Sequence, residues 1–529
     1  MKKTAGVIFR TMILLLVGIT IGLLISDNNF ADRNLGFSFS GTDKLSKVLE
    51  LVGQNYVDSV NIDSIEGASV NDLLQNLDPH SLYLPPQQAQ SINERLDGGF
   101  NGIGIEYQLM RDTLIITQVY EGGPAAKAGL LVGSRVINVN NKKFSGTKLT
   151  NDRINSVFRG EKDSIILLGV AEGKAIKTYT IKRGRVDLSS VNAAYMANEN
   201  TGYIKISKFA STTDIDFRRA LGKLKTTGMN NLLLDLRGNG GGYLNAATSL
   251  ADEFLSKGKL IVYTKGVHEP RTDYFATDSG LFQHGKVTVL IDEYSASASE
   301  ILAGALQDLD RATIVGRRSF GKGLVQQQFP FGDGSAVNLT VARYYTPSGR
   351  SIQKSYKGGL ESYRNELAIR MQKGELFSEQ SNRSDTSAFN GKGSSYHTLS
   401  GRKVFSGGGI MPDVFVPADT TQNTMLIQNL LDQQLFSAYV IDKMQPVINK
   451  FATGDDFIKN YNVSDDDFHS FILYSSQKLK EMDSHELLIS RDYIKNILKA
   501  NAARFKWGDN AFYQVMNIND EAFKKALSI

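Results

Sequence analysis

The sequence predicts a multidomain α/β protein. Its 529 residues are enough for three or four domains, and an apolar content of 41% can fill their cores. Residues 232–236 (LLLDL) and 287–291 (VTVLI) are apolar runs of the buried-strand type, and each leads into a turn of small residues. After residue 424, apolar residues recur at spacings of three to five, which is typical of helices. These observations favour a central sheet in the middle of the chain and a helical region at its carboxyl end.

The composition argues against several classes of function. The formal net charge of +5 is modest for this length, and no basic cluster contains interleaved aromatic residues, so nucleic acid is not an expected partner. The pattern His-Glu-x-x-His does not occur, which argues against a zinc protease. His80 stands in the sequence DPHS, which favours a turn with side-chain capping over a metal ligand or a catalytic base.

The amino terminus has the layout of an export signal. Basic residues precede the apolar run 12–25, and these charges are expected to stay on the cytoplasmic side. No convincing small-residue cleavage site follows, which favours an uncleaved anchor through residues 7–25 over a removed signal peptide. Residues 1–30 are therefore predicted to be a signal peptide or a membrane anchor. The rest of the chain is expected in a bacterial periplasm, attached to the inner membrane or exported after cleavage.

A candidate hydrolase site lies between a predicted strand and a predicted helix. Residues 295–300 (SASASE) follow the apolar run 287–291, and residues 319–326 (SFGKGLVQ) place Lys322 in a glycine-rich turn. A serine hydroxyl is a poor nucleophile until a base removes its proton. None of the six histidines lies in these segments, so lysine is the candidate base.

Lysine can act as a base only when its amine is neutral. The pKa must then fall from about 10.4 to roughly 7–8, which at about 1.36 kcal/mol per unit corresponds to roughly 3–4 kcal/mol. The apolar neighbours Phe320, Leu324 and Val325 are expected to desolvate the ammonium form of Lys322. The alternative is a helix start capped by hydroxyl groups together with an ordinary exposed loop lysine.

A glycine-rich turn, residues 238–242 (GNGGG), follows the first apolar run. Glycines let backbone amides approach a substrate closely, and a tetrahedral intermediate needs preorganised N–H donors. The alternative is a tight strand-to-helix turn without a catalytic role. Asp235 and Arg237 are expected to hold this turn together through hydrogen bonds rather than to perform chemistry.

The region before the core resembles a PDZ domain of the protease-associated type. The resemblance rests on residues 98–106 (GGFNGIGIE), 123–130 (GPAAKAGL) and 133–140 (GSRVINVN). PDZ domains accept an extended peptide as an added strand and hold its terminal carboxylate in backbone amides. The resemblance implies that the carboxylate loop consists of Phe100, Asn101, Gly102, Ile103 and Gly104.

Taken in order, these motifs resemble the carboxyl-terminal processing peptidases, the PDZ-containing Ser/Lys proteases of peptidase family S41. The resemblance implies that Ser297 is the nucleophile and that Lys322, 25 positions later, is the general base. Gln326, four residues beyond the lysine, would orient it. The oxyanion donors would be the amide of Ala298 and a glycine of the turn, Gly241 or Gly242.

The resemblance also implies a domain organisation. The expected parts are an N-terminal helical domain (40–97), a PDZ domain (98–185), a protease core with a crotonase/ClpP-like fold (186–420) that carries a mobile insertion at about 357–405, and a helical extension (421–529) outside the resemblance. The sequence Arg183-Gly184-Arg185 is a candidate hinge for the PDZ domain.

The expected function is a serine endopeptidase that cleaves exported proteins or peptides recognised by their carboxyl-terminal tails, through an acyl-enzyme and without a cofactor or a metal. One alternative is a non-catalytic PDZ tail-binding or scaffold protein on a related core. Another is an acyl-CoA enzyme on the same type of core. The expected partners are proteins or peptides with free carboxyl-terminal tails, while an adaptor protein and self-association are left open.

Overall fold

The structure is a computed structural model. It describes residues 43–110, 112–146, 149–172, 175–379, 395–422, 424–479 and 481–529. The predicted signal or anchor, residues 1–30, lies outside this set, as do residues 380–394 of the predicted insertion. None of the helices in the described part of the chain combines the length and the apolar character that crossing a bilayer requires.

The chain divides into two units, Met1–Asp72 and Leu73–Ile529. The described part of the first unit consists of helix α1 (Asp43–Asn55) and most of helix α2 (Ile62–Gln75). The predicted PDZ domain, core and extension all belong to the second unit. That unit begins with a short strand, β1 (Leu82–Leu84), and helix α3 (Pro86–Leu96).

A small β-rich domain follows. Its elements are β2 (Gly99–Gly102), β3 (Ile105–Met110), β4 (Thr113–Val119), α4 (Pro124–Lys127), β5 (Arg135–Val139), β6 (Lys142–Lys143), α5 (Asn151–Phe158), β7 (Ile165–Glu172), β8 (Ala175–Lys182) and β9 (Gly184–Asp187). The sheet has the order β3-β4-β5-β7-β8, so β3 lies at its edge, and β6 pairs with β5. Leu114 and Ile116 of β4 face the core of this domain, whereas Ile115 between them joins a different apolar cluster. Strand β4 is therefore covered on both faces.

The two connections between this domain and the core run side by side. Strands β2 and β9 pair antiparallel, with Gly102 opposite Gly184. The predicted carboxylate loop thus begins as a strand, and the candidate hinge is part of a paired strand rather than a free linker. Arg185 adds a hydrogen bond to the carbonyl of Asp97 at 3.0 Å.

The core contains a mixed sheet flanked by helices. Its elements are β10 (Val191–Met196), β11 (Thr201–Ile206), α6 (Thr213–Thr226), β12 (Asn231–Asp235), α7 (Leu244–Asp252), β13 (Leu260–Lys265), β14 (Thr272–Phe275), β15 (Val287–Ile291), α8 (Ala298–Asp308), β16 (Thr313–Gly316), β17 (Leu324–Pro330) and β18 (Ala336–Tyr345). The central sheet has the order β10-β11-β12-β15-β16-β21, where β21 is Val414–Phe415. All neighbours are parallel except β10 and β11. A second sheet contains β1, β18, β13 and β14, with β17 paired to β18.

This topology determines where the functional segments meet. The carboxyl ends of parallel strands lie at one edge of a sheet, and ligands of open α/β sheets bind there. The glycine-rich turn follows β12, Ser297 follows β15, and Lys322 follows β16. Three segments that are distant in sequence therefore converge on one edge.

The predicted mobile insertion is partly a packed structure. Residues 357–379 contain α9 (Gly359–Arg364) and α10 (Glu366–Gln372), and residues 395–405 contain β19 (Tyr396–His397) and β20 (Lys403–Val404). Tyr363, Arg370 and Glu375 are 5% exposed or less. The carboxylate of Glu375 accepts hydrogen bonds from Arg318 at 2.7 and 2.8 Å. These residues are therefore packed, because a polar sequence can be buried when its charges are paired.

The C-terminal extension is helical, as predicted. It contains α11 (Met425–Asp432), α12 (Leu435–Tyr439), a π-helical turn (Val440–Met444), α13 (Gln445–Ile448), α14 (Gly454–Asn460), α15 (Asp465–Ser476), α16 (Ser484–Ile489), α17 (Arg491–Ile518) and α18 (Glu521–Ser528). It has its own apolar core, which includes Leu430, Phe457, Phe471 and Leu498. Gly508 has φ +77° and divides α17 into two helical halves.

Candidate active site

Ser297 differs from the two serines beside it. Ser295 and Ser299 are fully buried, and their hydroxyls donate to the carbonyls of Leu236 at 2.9 Å and Asn239 at 2.8 Å. Ser297 is partly exposed and lines a cavity. Among these three serines, only Ser297 is open to a substrate.

The backbone of Ser297 is strained. Its φ is +55° and its ψ is −115°, in a region that favours glycine. The residue sits at the start of α8, where its N–H donates to Glu300 Oε2 at 2.8 Å and its carbonyl accepts the N–H of Glu300 at 2.8 Å. This conformation turns the chain sharply from β15 into α8 and places Ser297 at the amino terminus of the helix.

Lys322 and Gln326 form a hydrogen-bonded pair. The ammonium of Lys322 donates to Gln326 Oε1 at 2.8 Å, and Gln326 Nε2 donates to the carbonyl of His80 at 2.6 Å. Lys322, Gln326 and Ser297 line the same cavity. The structure thus brings together the three side chains that the sequence predicted as nucleophile, base and orienting group.

Burial lowers the pKa of Lys322 below its usual 10.5, although the negative charges of Glu300 and Asp78 act in the opposite direction. A lysine that acts as a base requires a lowered pKa, so this shift has the required direction. Gln326 contributes no charge, so it orients the amine without stabilising the ammonium form as strongly as a carboxylate would.

Glu300 connects the serine segment to the lysine segment. It is fully buried, and its two oxygens accept hydrogen bonds from the amides of Ser297 at 2.8 Å, Gly321 at 2.7 Å and Lys322 at 2.9 Å. The hydroxyl of Ser319 donates a fourth at 2.5 Å. Burial raises the pKa of Glu300 to about 7, even though these hydrogen bonds favour the ionised form.

The glycine-rich turn lies directly against Ser297. A Cβ on Gly241 would stand 2.8 Å from both the carbonyl oxygen of Ala296 and the Cβ of Ser297, and one on Gly242 would stand 2.0 Å from the carbonyl oxygen of Phe209. Both positions require glycine, because the opposing atoms include backbone that cannot move aside.

The structure separates the two glycines as oxyanion donors. The amide of Gly241 donates to Asn239 Oδ1 at 2.9 Å, so in this arrangement it is not available to a substrate. Within the described residues, the amides of Gly242 and Ala298 donate to no protein acceptor. Gly242 lines the cavity, and Ala298 is the first residue of α8. These two amides are therefore the better candidates for the oxyanion hole.

Asp235 and Arg237 hold the turn together, as expected. The carboxylate of Asp235 is buried and accepts hydrogen bonds from Tyr203 at 2.8 Å, Lys205 at 3.1 Å and Arg237 at 2.7 Å. Burial alone would raise the pKa of Asp235, but the charges of Arg237 and Lys205 outweigh it and hold this pKa well below its usual range. The carboxyl remains ionised and the turn remains tied to β11.

The cavity at Ser297 has a volume of about 320 Å³ and opens beside a larger one of about 660 Å³. Tyr243, Leu244, Val325 and Gln326 line both. Helix α3 covers the smaller cavity with Ile92, Asn93 and Leu96. The adjoining volumes can hold several residues of an extended polypeptide.

A further cavity, of about 190 Å³, lies between β3 and α5 of the β-rich domain. Phe100, Ile103 and Gly104 of the predicted carboxylate loop line it, whereas Asn101 and Gly102 do not. Gly102 forms an isolated antiparallel bridge with Arg159, and among the described residues the amide of Gly104 donates to no protein acceptor.

An internal ion pair lies at the same cavity. Arg159 follows α5 and lies with its guanidinium carbon 5.3 Å from the centre of the Phe100 ring. It pairs with the carboxylate of Glu94, which extends from α3. Glu94 and Arg159 both line the cavity, so a carboxylate of the chain itself already contacts the cation at this site.

Sequence reasoning missed several of these residues. Glu300 carried a signal, because a glutamate three positions after a helix-capping serine is a capping-box pattern. The sequence carried no signal for Tyr344, whose hydroxyl donates to the carbonyl of Ser297 at 3.1 Å, or for the pair Glu94–Arg159. Each depends on a contact between residues that are distant in sequence. His80 forms the predicted turn, in which Asp78 Oδ1 accepts its amide at 2.8 Å.

Among the residues that the structure describes, no three His, Cys, Asp or Glu side chains converge in a way that could hold a metal ion. The site consists of a hydroxyl, an amine, an amide side chain and backbone N–H groups.

Three parts of the chain match known protein families. Residues 200–361 match peptidase family S41, residues 115–170 match the PDZ domain family, and residues 426–508 match a family of unknown function. The fold and these matches define a PDZ-containing protease of the S41 type, which confirms the predicted fold class.

Two relatives found by sequence agree with the family match. The chain is 35% identical over 352 residues to a carboxy-terminal-processing protease of Bartonella bacilliformis, covering 65% of this chain and 80% of that one. It is 35% identical over 320 residues to the carboxy-terminal processing protease CtpB of Bacillus subtilis, covering 59% of this chain and 65% of that one. A solved structure, the photosystem II D1 C-terminal processing protease, aligns at 27% identity over 60% of this chain and 91% of that one, with a TM-score of 0.33. The chain belongs to peptidase family S41, among the carboxy-terminal processing serine proteases.

Proposed function

We propose that this protein is a serine endopeptidase in which Ser297 is the nucleophile, Lys322 the general base and Gln326 the group that orients the base. The observation that carries the proposal is the cavity shared by these three side chains, with Lys322 bonded to Gln326 at 2.8 Å and its pKa lowered by burial. Ser297 contributes the only open hydroxyl of its segment.

The reaction follows from these groups. The neutral amine of Lys322 takes the proton of Ser297 Oγ while Oγ forms a bond to the scissile carbonyl carbon. The amides of Gly242 and Ala298 stabilise the negative oxygen that results, with support from the positive end of α8. The ammonium of Lys322 then protonates the departing amine, which leaves an ester on Ser297. Water hydrolyses the ester with Lys322 again as the base, and the proton returns to Ser297.

The PDZ domain supplies substrate recognition in this proposal. Strand β3 lies at the edge of its sheet, where an extended peptide can add as a further strand. The amide of Gly104 and the cation of Arg159 lie at one cavity beside this strand. We expect these groups to receive the terminal carboxylate of a substrate tail.

Tail-dependent cleavage is the first expected result. An unfolded reporter with an apolar tail should be cleaved with a kcat/KM at least ten-fold higher when its terminal carboxylate is free than when it is a carboxamide, because hydrogen bonds to a charged group are worth about 1.5–3 kcal/mol. Ser297→Ala should cleave neither reporter.

Two outcomes would contradict the proposal. Equal cleavage of the two reporters by the parent would mean that the protein does not recognise the terminal carboxylate of a tail. Binding of the free-tail reporter without cleavage, in the parent as in Ser297→Ala, would favour the tail-binding protein instead.

Replacing Glu94 should strengthen tail binding. Because Glu94 already pairs with Arg159, a tail carboxylate must compete with it, and Glu94→Gln removes the competitor. The side chain of Arg159 is 38% exposed, and such pairs contribute about 0.2–1 kcal/mol, so the Kd of a tail peptide should fall by a factor of about 1.4 to 5 in calorimetry.

The matched control is Glu161→Gln, which makes the same charge change at an exposed position of the same domain. A peptide with a carboxamide end should bind Glu94→Gln and the parent equally. An equal gain in affinity for both peptides, or a similar gain in Glu161→Gln, would mean that Glu94 does not compete with the tail carboxylate.

Export is part of the proposed function. Residues 1–30 have the charge and apolar pattern of a signal or an anchor. We therefore propose that the protein lies in a bacterial periplasm and that residues 7–25 lie in the inner membrane. Recovery of the full chain in the cytoplasmic fraction of the native host would contradict it.

A further inference from the structure

The C-terminal extension contacts both the PDZ domain and the protease core. The contact with the PDZ domain is mainly apolar: Met110 and Ile115 pack against Ala438 and Ile441, and all four are 5% exposed or less. Gln108 Nε2 also donates to the carbonyl of Gln434 at 3.1 Å. This cluster covers the outer face of β3 and β4, which explains why three consecutive apolar residues of β4 are all buried.

The contact with the core combines apolar packing with polar bonds. Phe523 of α18 packs edge to face on Tyr203, with ring centres 5.5 Å apart. Asn517 Nδ2 donates to the hydroxyl of Tyr195 at 2.7 Å. Asp520 pairs with Arg237 at 2.6 Å, and Arg237 immediately precedes the glycine-rich turn.

One helix reaches from the first contact to the second. Phe505, before the break at Gly508, packs on the PDZ cluster, whereas Asn510, after it, accepts the amide of Ala194 of the core at 2.8 Å. Gly508, at φ +77°, lies between these two contacts. The extension is thus a single structure with one face for each domain.

Apart from this contact, the PDZ domain is held by the ion pair of Arg159 with Glu94 of α3 and by its connections to the core. Its two covalent connections, β2 and β9, are paired with each other and form one ribbon. Domains joined by short linkers move relative to each other unless a sizeable apolar interface prevents it. The cluster of Met110, Ile115, Ala438 and Ile441, with Tyr474 and Phe505 packed against it, supplies an apolar contact that opposes such movement.

We propose that the C-terminal extension fixes the PDZ domain on the core, so that a tail bound to the PDZ domain presents its substrate to Ser297 at a set distance. The inference rests on the proposed function and assigns a role to residues 424–529. A substrate held at both its tail and its scissile bond binds as a bivalent ligand. The effective concentration of its second site depends on the span between the two sites, and a mobile PDZ domain would lower it.

The test is Ile441→Asp, which places a charge in the interface. We expect the advantage of a free-tail reporter over a carboxamide reporter to fall roughly five- to ten-fold. Hydrolysis of a short ester without a tail, and the Kd of an isolated tail peptide, should stay within about two-fold of the parent. Leu473→Asp is the matched control, because it makes the same type of change at an exposed position of the extension, 54% open to solvent.

A charge reversal at Arg135 tests the same contact from an exposed side chain. Arg135 of β5 lies 3.7 Å from Asp442 of the extension and is 52% exposed. Arg135→Glu should lower the tail advantage about two-fold. An unchanged tail advantage in both Ile441→Asp and Arg135→Glu would overturn the inference.

Domain mobility can be measured directly, because the chain has no cysteine. Spin labels at Lys142→Cys on the PDZ domain and Lys223→Cys on the core should give a narrow distance distribution in the parent and a broad one with Ile441→Asp. Equally narrow distributions would also overturn the inference. Absence of ester hydrolysis in the parent is a different result, because it would contradict the proposed function rather than the role of the extension.

Discussion

Lys322→Arg should lower kcat by about 10³- to 10⁴-fold, which is the upper range for removing a general base. A guanidinium cannot lose its proton in a protein, so it cannot accept the proton of Ser297. The substitution retains the positive charge and the capacity to donate a hydrogen bond to Gln326. The loss of kcat therefore reports on proton transfer alone. Turnover of the short ester, together with the rate at which a sulfonyl fluoride labels Ser297, measures the loss.

The pH profile provides a second measure of the same group. The neutral amine is the active form, so kcat/KM of the parent should rise with pH as the ammonium of Lys322 loses its proton. The midpoint should lie below 10.5, because burial lowers the pKa. Lys357→Arg, at an exposed position of the core, should leave activity unchanged. Activity within ten-fold of the parent in Lys322→Arg would contradict the assignment of the base.

Glu300→Gln should lower kcat about 10- to 100-fold with little change in KM. The carboxylate of Glu300 accepts hydrogen bonds from backbone N–H groups, whereas the amide nitrogen of glutamine is itself a donor and would face them unpaired. A buried donor left unpaired costs about 1–3 kcal/mol. The serine and lysine segments would lose their common anchor. Glu300 is fully buried and does not line the cavity, so substrate binding should be largely unaffected.

The pH profile distinguishes a role at the site from a general loss of stability. The negative charge of Glu300 raises the pKa of Lys322, so its removal should move the ascending limb of the profile to lower pH. In the parent, Glu300 should take up a proton as the pH falls through about 7, which removes one of its acceptor contacts and lowers activity further.

The control is Glu253→Gln, a buried carboxylate of the same core that pairs with Arg218. This substitution should lower the melting temperature without changing the pH profile of kcat/KM. An unshifted profile in Glu300→Gln, with a loss of stability similar to that of the control, would mean that Glu300 acts only as a structural residue.

Much of the candidate site could be predicted because its signals are local or depend on fixed spacing. The segments around Ser297 and Lys322 each combine a strand end with small residues, and their separation matches the family pattern. The choice between Gly241 and Gly242 could not be predicted, since it depends on which amide the side chain of Asn239 accepts. The packing of residues 357–379 could not be predicted for a related reason, because it depends on the pairing of Glu375 with Arg318, which is far away in sequence.

The sequence by itself determined the family, the fold class and the candidate side chains, because strand periodicity, glycine turns and motif spacing are written along the chain. Only the tertiary structure decided what those side chains contact. The pairing of Glu94 with Arg159, the hydrogen bonds that converge on Glu300 and the contact of Ile441 with Ile115 all join segments far apart in sequence. Such contacts depend on the packing of whole elements, and apolar periodicity indicates that a face is buried without indicating which surface covers it.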